Sequence, residues 1–294
     1  MVSIKSKKIG NQKYYYLYHD DKRGKRTQKE IYLGKKIPDD IEERKQELLL
    51  EINRDDWIPK LEKIKQNYVK QKAKLPPEIK EKELKLFSVK FTYNTQRIEG
   101  STLTLKETHD LLEEGRSPSN KPNNDVKEAE AHQKLFFKAI KDPSDLSSSK
   151  VISWHKELLE ETEPNIAGKL RDYNVGIGGS KFVPPDHKAV KTIVDGFFSW
   201  YNKNKNKLNP VELAALVHLK FVTIHPFGNG NGRISRLMMN FVLNKLGYPL
   251  LDIDYKDRRS YYNTLERAQT KEDDIIFLQW FMKRYLKIYN KFLT

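Results

Sequence analysis

The chain has 294 residues, of which 37% are hydrophobic and 32% charged, with no cysteine and a formal net charge of +15. This length allows one large domain or two modest ones, and the lack of cysteine excludes disulfides, thiolate nucleophiles and Cys-based metal sites. The first residues lack an apolar signal region, and no run of about 18 apolar residues occurs. We therefore expect a soluble cytoplasmic protein that does not contact membranes.

The first 36 residues are basic and predict a small sheet. They contain eleven Lys/Arg and three acids, a net charge of +8. Turn residues at Gly10-Asn11 and at Lys22-Arg23-Gly24-Lys25 separate three β-prone runs: Ile4–Ile9, Lys13–Tyr18 and Thr27–Leu33. We expect a three-stranded antiparallel β module over residues 1–37.

Five tyrosines accompany this positive charge: Tyr14, Tyr15, Tyr16, Tyr18 and Tyr32. Lysines can contact phosphates and aromatic rings can stack on bases, so residues 1–36 are a candidate nucleic acid surface. A solvated lysine-rich face is an equally good interpretation.

From Pro38 onward the pattern becomes helical. Residues 39–74 form a charged run with apolar residues every three to four positions, which we expect Pro59 to interrupt and Pro76-Pro77 to end. The next helix, 78–98, stops at Gly100. We expect a helical linker over residues 38–77 and one helical domain over residues 78–294.

The remaining chain predicts a mainly α fold. Residues 114–125 are a loop by composition, and Val175–Pro185, rich in glycine and proline, suits a short β-hairpin or flap. Asn209 is a predicted N-cap, with Pro210 at the first helical position. Further helices are expected at about 126–140, 147–162, 187–203, 210–223, 232–245, 257–268 and 272–292.

One short segment between two of these helices carries the chemistry. It runs His225-Pro226-Phe227-Gly228-Asn229-Gly230-Asn231-Gly232-Arg233, with Arg236 one helical turn on. Glycines before a helix leave backbone N–H groups free, and with the helix dipole they form an anion site. A histidine beside such a cradle indicates chemistry on a phosphate ester.

The segment resembles the signature of Fic-domain (Fic/Doc family) proteins, His-Pro-Phe-x-(Asp/Glu)-Gly-Asn-Gly-Arg-x-x-Arg. Ala167–Arg171 before the flap, His218 and Tyr261-Tyr262-x-x-Leu265 follow the order seen in that family. The likeness spans about residues 80–285. It implies a Fic-type helical bundle with a flap.

The resemblance also implies an activity: transfer of AMP from ATP to a Ser, Thr or Tyr hydroxyl of a target protein. His225 would be the general base, and Arg233 would offset charge on the β-phosphate while Arg236 holds the γ-phosphate. Asn231 would fix the loop or a phosphate oxygen. The phosphates would lie on the backbone of Gly228, Gly230 and Gly232. The adenine would lie against Tyr262, Leu265 and Gln269. The main chain of the target protein would align along the flap. Tyr261 is as readily a core residue.

An internal inhibitor is implied as well. Thr95-Gln96-Arg97-Ile98-Glu99-Gly100 resembles the family's inhibitory motif, (Ser/Thr)-x-x-x-Glu-(Gly/Asn), on a helix at about residues 78–100. Glu99 would pair with Arg236 and displace ATP into a non-productive pose. An ordinary surface glutamate before a glycine is the alternative.

Asn229 departs from the family pattern, which has Asp or Glu at this position. Because Mg²⁺ prefers anionic oxygen ligands, an amide here implies weaker metal affinity, an altered nucleotide preference, or a metal carried mainly by the nucleotide.

Other readings stay open. The chain could be a slow or inactive Fic-type regulatory protein that binds nucleic acid, use another phosphate-ester donor, or run the reverse hydrolysis. A homodimer is a further expectation.

Overall fold

The computed structural model describes residues 2–19 and 29–293, and these contain three strands and ten α-helices. The chain divides into two compact units, Met1–Lys60 and Leu61–Thr294. The predicted boundaries near residues 37 and 77 stay predictions. None of the described helices combines the length and the apolarity that crossing a bilayer needs.

The first unit contains the predicted antiparallel sheet, in the order β1 (Val2–Ile9), β2 (Gln12–His19) and β3 (Lys29–Gly34). The turn at Gly10-Asn11 is confirmed, because Ile9 pairs with Gln12 across it. The predicted turn at residues 22–25 and the first residues of the third run lie outside the described part of the chain.

One face of the sheet packs on the start of helix α1 (Ile41–Ala73). The side chains of Leu17, Leu33 and Leu48 are buried there, and Ile4 and Ile52 pack against them. Burying this apolar face is what allows so small a sheet to be stable, since isolated hairpins are marginal in water.

The predicted interruption at Pro59 is wrong. Helix α1 is continuous over 33 residues and contains Pro59 in its interior. Proline removes one N–H donor, at a cost of about 3 kcal/mol. The hydrogen bonds of a long, lysine- and glutamate-rich helix on both sides of the proline offset that cost.

The second unit is a helical bundle. Its predicted helices are present with boundaries shifted by a few residues, and the last one ends earlier, in a short 3-10 turn at Asn290–Phe292. The helices are α2 (Pro77–Ile98), α3 (Leu105–Glu114), α4 (Asn123–Lys141), α5 (Ser148–Leu159), α6 (His187–Asn204), α7 (Pro210–Ile224), α8 (Asn231–Lys245), α9 (Arg258–Thr270) and α10 (Asp274–Ile288).

Helix α7 is the centre of this bundle. It is predominantly apolar and buried along nearly its whole length, as expected of a core helix. Helices α6, α8 and α10 pack against it. The side chain of Asn209 accepts a hydrogen bond from the Val211 N–H at 3.0 Å, which confirms the predicted N-cap.

Helix α3 was not predicted. It begins with a capping box, in which the side chains of Thr104 and Glu107 each accept a hydrogen bond from the other residue's backbone N–H, and it ends at Gly115. The Thr-x-x-Glu pattern was a usable signal.

The segment Val175–Pro185 corrects another expectation. It is a loop with a turn at Gly178-Gly179, closed by the Ser180 N–H on the Ile177 carbonyl, and it contains no strand. Its glycines favour no extended pairing, and Pro184 and Pro185 have no N–H to donate. The predicted β-hairpin is therefore a loop flap.

Candidate active site

His225 lies at the point where helix α7 ends. Its backbone has φ 50° and ψ 55°, a left-handed conformation that is uncommon for a residue other than glycine. Pro226 follows and cannot continue the helix. The chain therefore turns sharply here, and helix α8 begins five residues later, at Asn231.

The imidazole of His225 has a fixed orientation. Its Nδ1 lies 3.2 Å from the Val222 carbonyl oxygen, which can only accept, so Nδ1 carries the proton and Nε2 has the free lone pair. Burial lowers the pKa of His225 below its ordinary value of 6.5, against smaller raising effects of the Val222 carbonyl and of Glu99. The ring is thus neutral, with one basic nitrogen, near neutral pH.

The turn after His225 presents backbone donors. The N–H groups of Gly228, Asn231 and Gly232 make no hydrogen bond within the described part of the chain. Gly230 has φ 76°, which glycine adopts without strain. At Gly232 a Cβ would collide with the Glu99 carboxylate. This helix N-terminus has the features of an anion cradle.

Asn231 fixes the turn rather than reaching outward. Its Oδ1 accepts from the Phe227 N–H at 2.9 Å, and its Nδ2 donates to the Phe227 carbonyl at 2.9 Å. Of the two alternatives from the sequence, the structure has the one in which Asn231 holds the loop.

His155, on α5, packs against the same turn and forms a hydrogen bond with it. Its ring stacks on Phe227 at 3.8 Å, its Nε2 donates to the Asn229 carbonyl, and its Nδ1 accepts from the Gly168 N–H. Burial lowers the pKa of His155 to about 4, so the neutral ring provides one donor and one acceptor.

Arg171 joins the turn to the flap. Its Nε donates to the His225 carbonyl at 2.8 Å, and its two Nη groups donate to the carbonyls of Tyr173 and Pro185. The flap and the backbone of the candidate base are therefore held by one buried guanidinium.

Arg236 forms the predicted ion pair. Its Nη2 lies 2.6 Å from Oε1 of Glu99, and only 1% of the Arg236 side chain is exposed, against 25% for Glu99. Thr95 adds two acceptors, Oγ1 at 2.7 Å and its carbonyl at 3.2 Å. Glu99 caps helix α2, and Gly100 follows with φ 106°.

The charges of this pair support each other. Burial acts to raise the pKa of the Glu99 carboxyl, but the guanidiniums of Arg236 and Arg233 outweigh it, and the pKa lies below the ordinary 4.5. Burial likewise opposes the charge of Arg236, while Tyr261 and Glu99 raise its pKa. Both groups are thus ionised.

Tyr261 is a buried partner of Arg236. Its hydroxyl accepts from Arg236 Nη1 at 3.3 Å and lies 2.8 Å from Nε2 of His218. Burial lowers the pKa of His218 to about 3, so His218 is neutral and shares one hydrogen bond with the phenol. Tyr261 therefore belongs to the core, as one of the two interpretations of the sequence held.

Arg233 is also buried, with 2% of its side chain exposed, and it pairs with Glu128 of α4. Its Nη1 further donates to Gln96 Oε1, and its Nη2 donates to Asn229 Oδ1, each at 3.2 Å. Neither Glu128 nor Gln96 could be connected with this arginine from the sequence pattern.

A cavity of about 840 Å³ opens beside these groups. His225, Gly232, Arg236 and Glu99 line it. The residues expected at the adenine, Tyr262, Leu265 and Gln269, line it too, as does the flap from Gly176 to Ser180. The structure thus brings together His225 as the candidate general base, Arg236, and the side chains expected to bind the adenine.

The side chain of Asn229 is engaged in three hydrogen bonds. Its Oδ1 accepts from the Gly230 N–H at 2.6 Å and from Arg233, and its Nδ2 donates to the Glu163 carboxylate. Both lone pairs of an amide oxygen are then used. In this conformation Asn229 does not offer a ligand to Mg²⁺, and its role at a metal stays a prediction.

Residues 145–243 match a family model described as the Fic/DOC family. Over 187 residues the chain is 34% identical to a protein of Drosophila yakuba named Protein adenylyltransferase Fic, and over 192 residues it is 33% identical to the protein of that name in Aedes aegypti. These matches cover 62% and 64% of this chain but only 37% and 38% of the relatives, so the chain spans well under half their length.

Solved structures give the same fold. A crystal structure of a Fic domain containing signaling protein from Bacteroides thetaiotaomicron superposes with a TM-score of 0.70 at 29% identity, over 78% of this chain and 94% of that one. Fic-1 from C. elegans has the same TM-score at 24% identity, over 85% of this chain and 74% of that one. The predicted Fic-type helical bundle is confirmed. Residues 145–243 of the chain therefore match the Fic/DOC family, and the fold is the one seen in a solved Fic-domain protein.

Proposed function

We propose that this chain is a protein adenylyltransferase that transfers AMP from ATP to a hydroxyl side chain of a target protein, and that Glu99 restrains it. The observation that carries the proposal is that His225, Gly232 and Arg236 line one cavity. The relatives named Protein adenylyltransferase Fic support ATP as the donor.

His225 acts as the base. The target hydroxyl gives its proton to Nε2 as its oxygen attacks the α-phosphorus, and the bond from that phosphorus to the bridging oxygen breaks. Pyrophosphate leaves and a phosphodiester forms. A neutral ring with Nδ1 held by Val222 is suited to this proton transfer.

The turn and the arginines stabilise the phosphates. The free N–H groups of Gly228, Asn231 and Gly232 would hold the α- and β-phosphates, with the Asn231 side chain keeping the turn in shape, whereas the Gly230 N–H donates to Asn229 Oδ1. Arg233 would offset charge on the leaving pyrophosphate and Arg236 would hold the γ-phosphate, because guanidiniums bind phosphate oxygens through paired N–H donors.

The adenine of ATP and the target segment would occupy different parts of the cavity. Tyr262, Leu265 and Gln269 present one ring, one apolar chain and one amide, which suits a stacked adenine. The flap would receive the target segment through main-chain hydrogen bonds.

Glu99 provides the restraint. As long as Glu99 pairs with Arg236 at 2.6 Å, the guanidinium is not available to a γ-phosphate. The Glu99 carboxylate also repels the γ-phosphate, because both are negatively charged. Thr95 strengthens the contact from the same helix, and Gly100 allows the chain to turn away directly after it. Mg²⁺ as cofactor, a homodimer and a cytoplasmic location remain predictions from the sequence.

A second candidate function rests on the outer face of the N-terminal sheet. The strand register places Lys5, Tyr16 and Tyr32 side by side, and Tyr32 is 55% exposed. Lys5 Nζ lies 3.3 Å from the ring centre of Tyr18. Basic groups among aromatic rings favour nucleic acid, although Lys7 is paired with Glu30.

The first prediction concerns the donor. With ATP labelled at the α-phosphate, we expect protein-bound label in a cell lysate, and we expect none with His225→Ala because the base is lost. With ATP labelled at the γ-phosphate, no label should be transferred. Transfer of the γ label instead would indicate a phosphotransferase and contradict AMP transfer.

The second prediction concerns the restraint. Glu99→Gly should raise the initial rate of α-label transfer roughly 10- to 100-fold, the range of a typical coupling free energy, because Arg236 is released. Glu114→Gly is a matched control, since Glu114 also ends a helix directly before a glycine with positive φ and pairs with Arg116. Equal rates for Glu99→Gly and wild type would contradict the role of Glu99.

The third prediction is a pH dependence. His225 must be neutral to accept a proton, and burial lowers its pKa below 6.5. In the Glu99→Gly variant, where the raising effect of Glu99 is gone, kcat/KM should therefore fall tenfold per pH unit only below pH 6.5. An acid limb centred above that value would show that another group titrates.

The fourth prediction tests the sheet. Fluorescence anisotropy with labelled single-stranded and duplex DNA should show binding that weakens with salt, and Lys5→Glu combined with Tyr32→Ala should weaken it about tenfold. Lys203→Glu, on the surface of α6, controls for net charge. No binding by wild type, or equal binding by the double variant, would dismiss this surface.

A further inference from the structure

Arg233 is a buried charge that three elements hold in place. Glu128 on α4 and Gln96 on α2 accept from its Nη1, and Asn229 in the turn accepts from its Nη2. Only one of these three acceptors carries a charge. Because a buried guanidinium is costly without a counter-ion, Glu128 decides where Arg233 rests.

Glu128 is itself held. Its side chain is 15% exposed, and its Oε1 accepts from the Thr162 hydroxyl at 3.1 Å while Oε2 faces Arg233. With one oxygen on each partner, the carboxylate has little freedom to turn. It therefore presents a fixed acceptor to the arginine.

The direction of the contact matters. With Nη1 on Glu128, the other end of the guanidinium, Nη2, points to Asn229 in the turn that precedes α8. That turn contains the free N–H groups of the anion cradle. Glu128 thus contacts Nη1 and leaves Nη2 to the turn, so it can orient the guanidinium without occupying the nitrogen that faces the turn.

We infer that Glu128 is a positioning residue, which holds Arg233 so that its Nη2 end meets the phosphate leaving from the turn. The inference rests on the proposed adenylyl transfer. Glu128 has no contact with the reacting atoms; it acts through Arg233. Without its charge, the guanidinium keeps two neutral acceptors and gains freedom to rotate away from the turn.

This role separates binding from turnover. ATP would still be held by the backbone N–H groups, by Arg236 and by the adenine-side residues, so its affinity should change little. Charge on the leaving pyrophosphate grows only in the transition state, and misplacing one stabilising group there costs up to about 10²-fold in rate. The loss should therefore fall on kcat.

The test uses the full chain carrying Glu99→Gly. Glu128→Gln, which keeps the shape of the side chain and removes the charge, should lower the maximal rate of α-label transfer roughly 10- to 100-fold. The ATP concentration for half-maximal rate should stay within about threefold. Anisotropy of a fluorescent ATP analogue should show the same affinity in both proteins.

Two comparisons separate positioning from simple loss of structure. Glu130→Gln removes the same charge two residues along the same helix and should leave the rate unchanged. Glu128→Gln added to Arg233→Ala should lower the rate no further, because Glu128 acts through that arginine. Thermal unfolding of each variant checks that the bundle is intact.

The outcomes are distinct. An unchanged or raised rate in Glu128→Gln overturns the inference, and a raised rate would mark Glu128 as a second restraint. A further loss on top of Arg233→Ala also overturns it, since Glu128 would then act independently. If the Glu99→Gly parent transfers no label while it binds the analogue, the proposed reaction fails, and the positioning role fails with it.

Discussion

Two guanidiniums on adjacent turns of one helix set the electrostatics of this site. Arg233 and Arg236 are 2% and 1% exposed, and charges this deeply buried are tolerated only with partners. The fold supplies one acid to each, Glu128 from α4 and Glu99 at the end of α2. Both guanidiniums can therefore stay charged inside the protein.

The two acids differ in a way that bears on control. Glu128 belongs to the interior of α4 and is tied to Thr162, so releasing Arg233 would mean opening the bundle. Glu99 caps the end of a helix, is 25% exposed and is followed by a glycine with positive φ. Helix ends fray more readily than helix interiors. Of the two ion pairs, the one at Arg236 is the one that can open without loss of the core.

A second constraint acts on the backbone. His225 takes a left-handed conformation before Pro226, and Arg171 donates to the His225 carbonyl while its own N–H donates to the Pro226 carbonyl. Strained positions of this kind persist when their surroundings fix them. The same arginine holds the flap through Pro185, so the orientation of the base and the position of the flap depend on one side chain.

Local signals explain most of what the sequence predicted. Residues close together in the sequence determine the N-cap of α7, the amphipathic helices and the turn at His225–Arg236. The structure contains all three. Helix α3 was not predicted, although its Thr104–Glu107 capping box can be recognised in the sequence. Pro59 was over-interpreted because one lost hydrogen bond does not end a long helix. The flap was read as a hairpin from composition alone.

Contacts between side chains on different helices of the bundle could not be predicted from the sequence. Nothing in the sequence around Glu128 distinguishes it from Glu130, two residues on, because their difference lies in which side of α4 faces Arg233. His155 and Arg171 are likewise identified only by the carbonyls they reach. Such residues are specified by tertiary packing, which a single sequence does not display.

Asn229 is the position where sequence and structure together say more than either does alone. An amide can donate and accept at once, and Asn229 does both: Nδ2 donates to Glu163 while Oδ1 accepts from Gly230 and Arg233. A carboxylate cannot donate, and an aspartate here would face Glu163 as a like charge. The amide and Glu163 are therefore a matched pair, and the negative charge that the family pattern has at position 229 lies here on the side chain that contacts it.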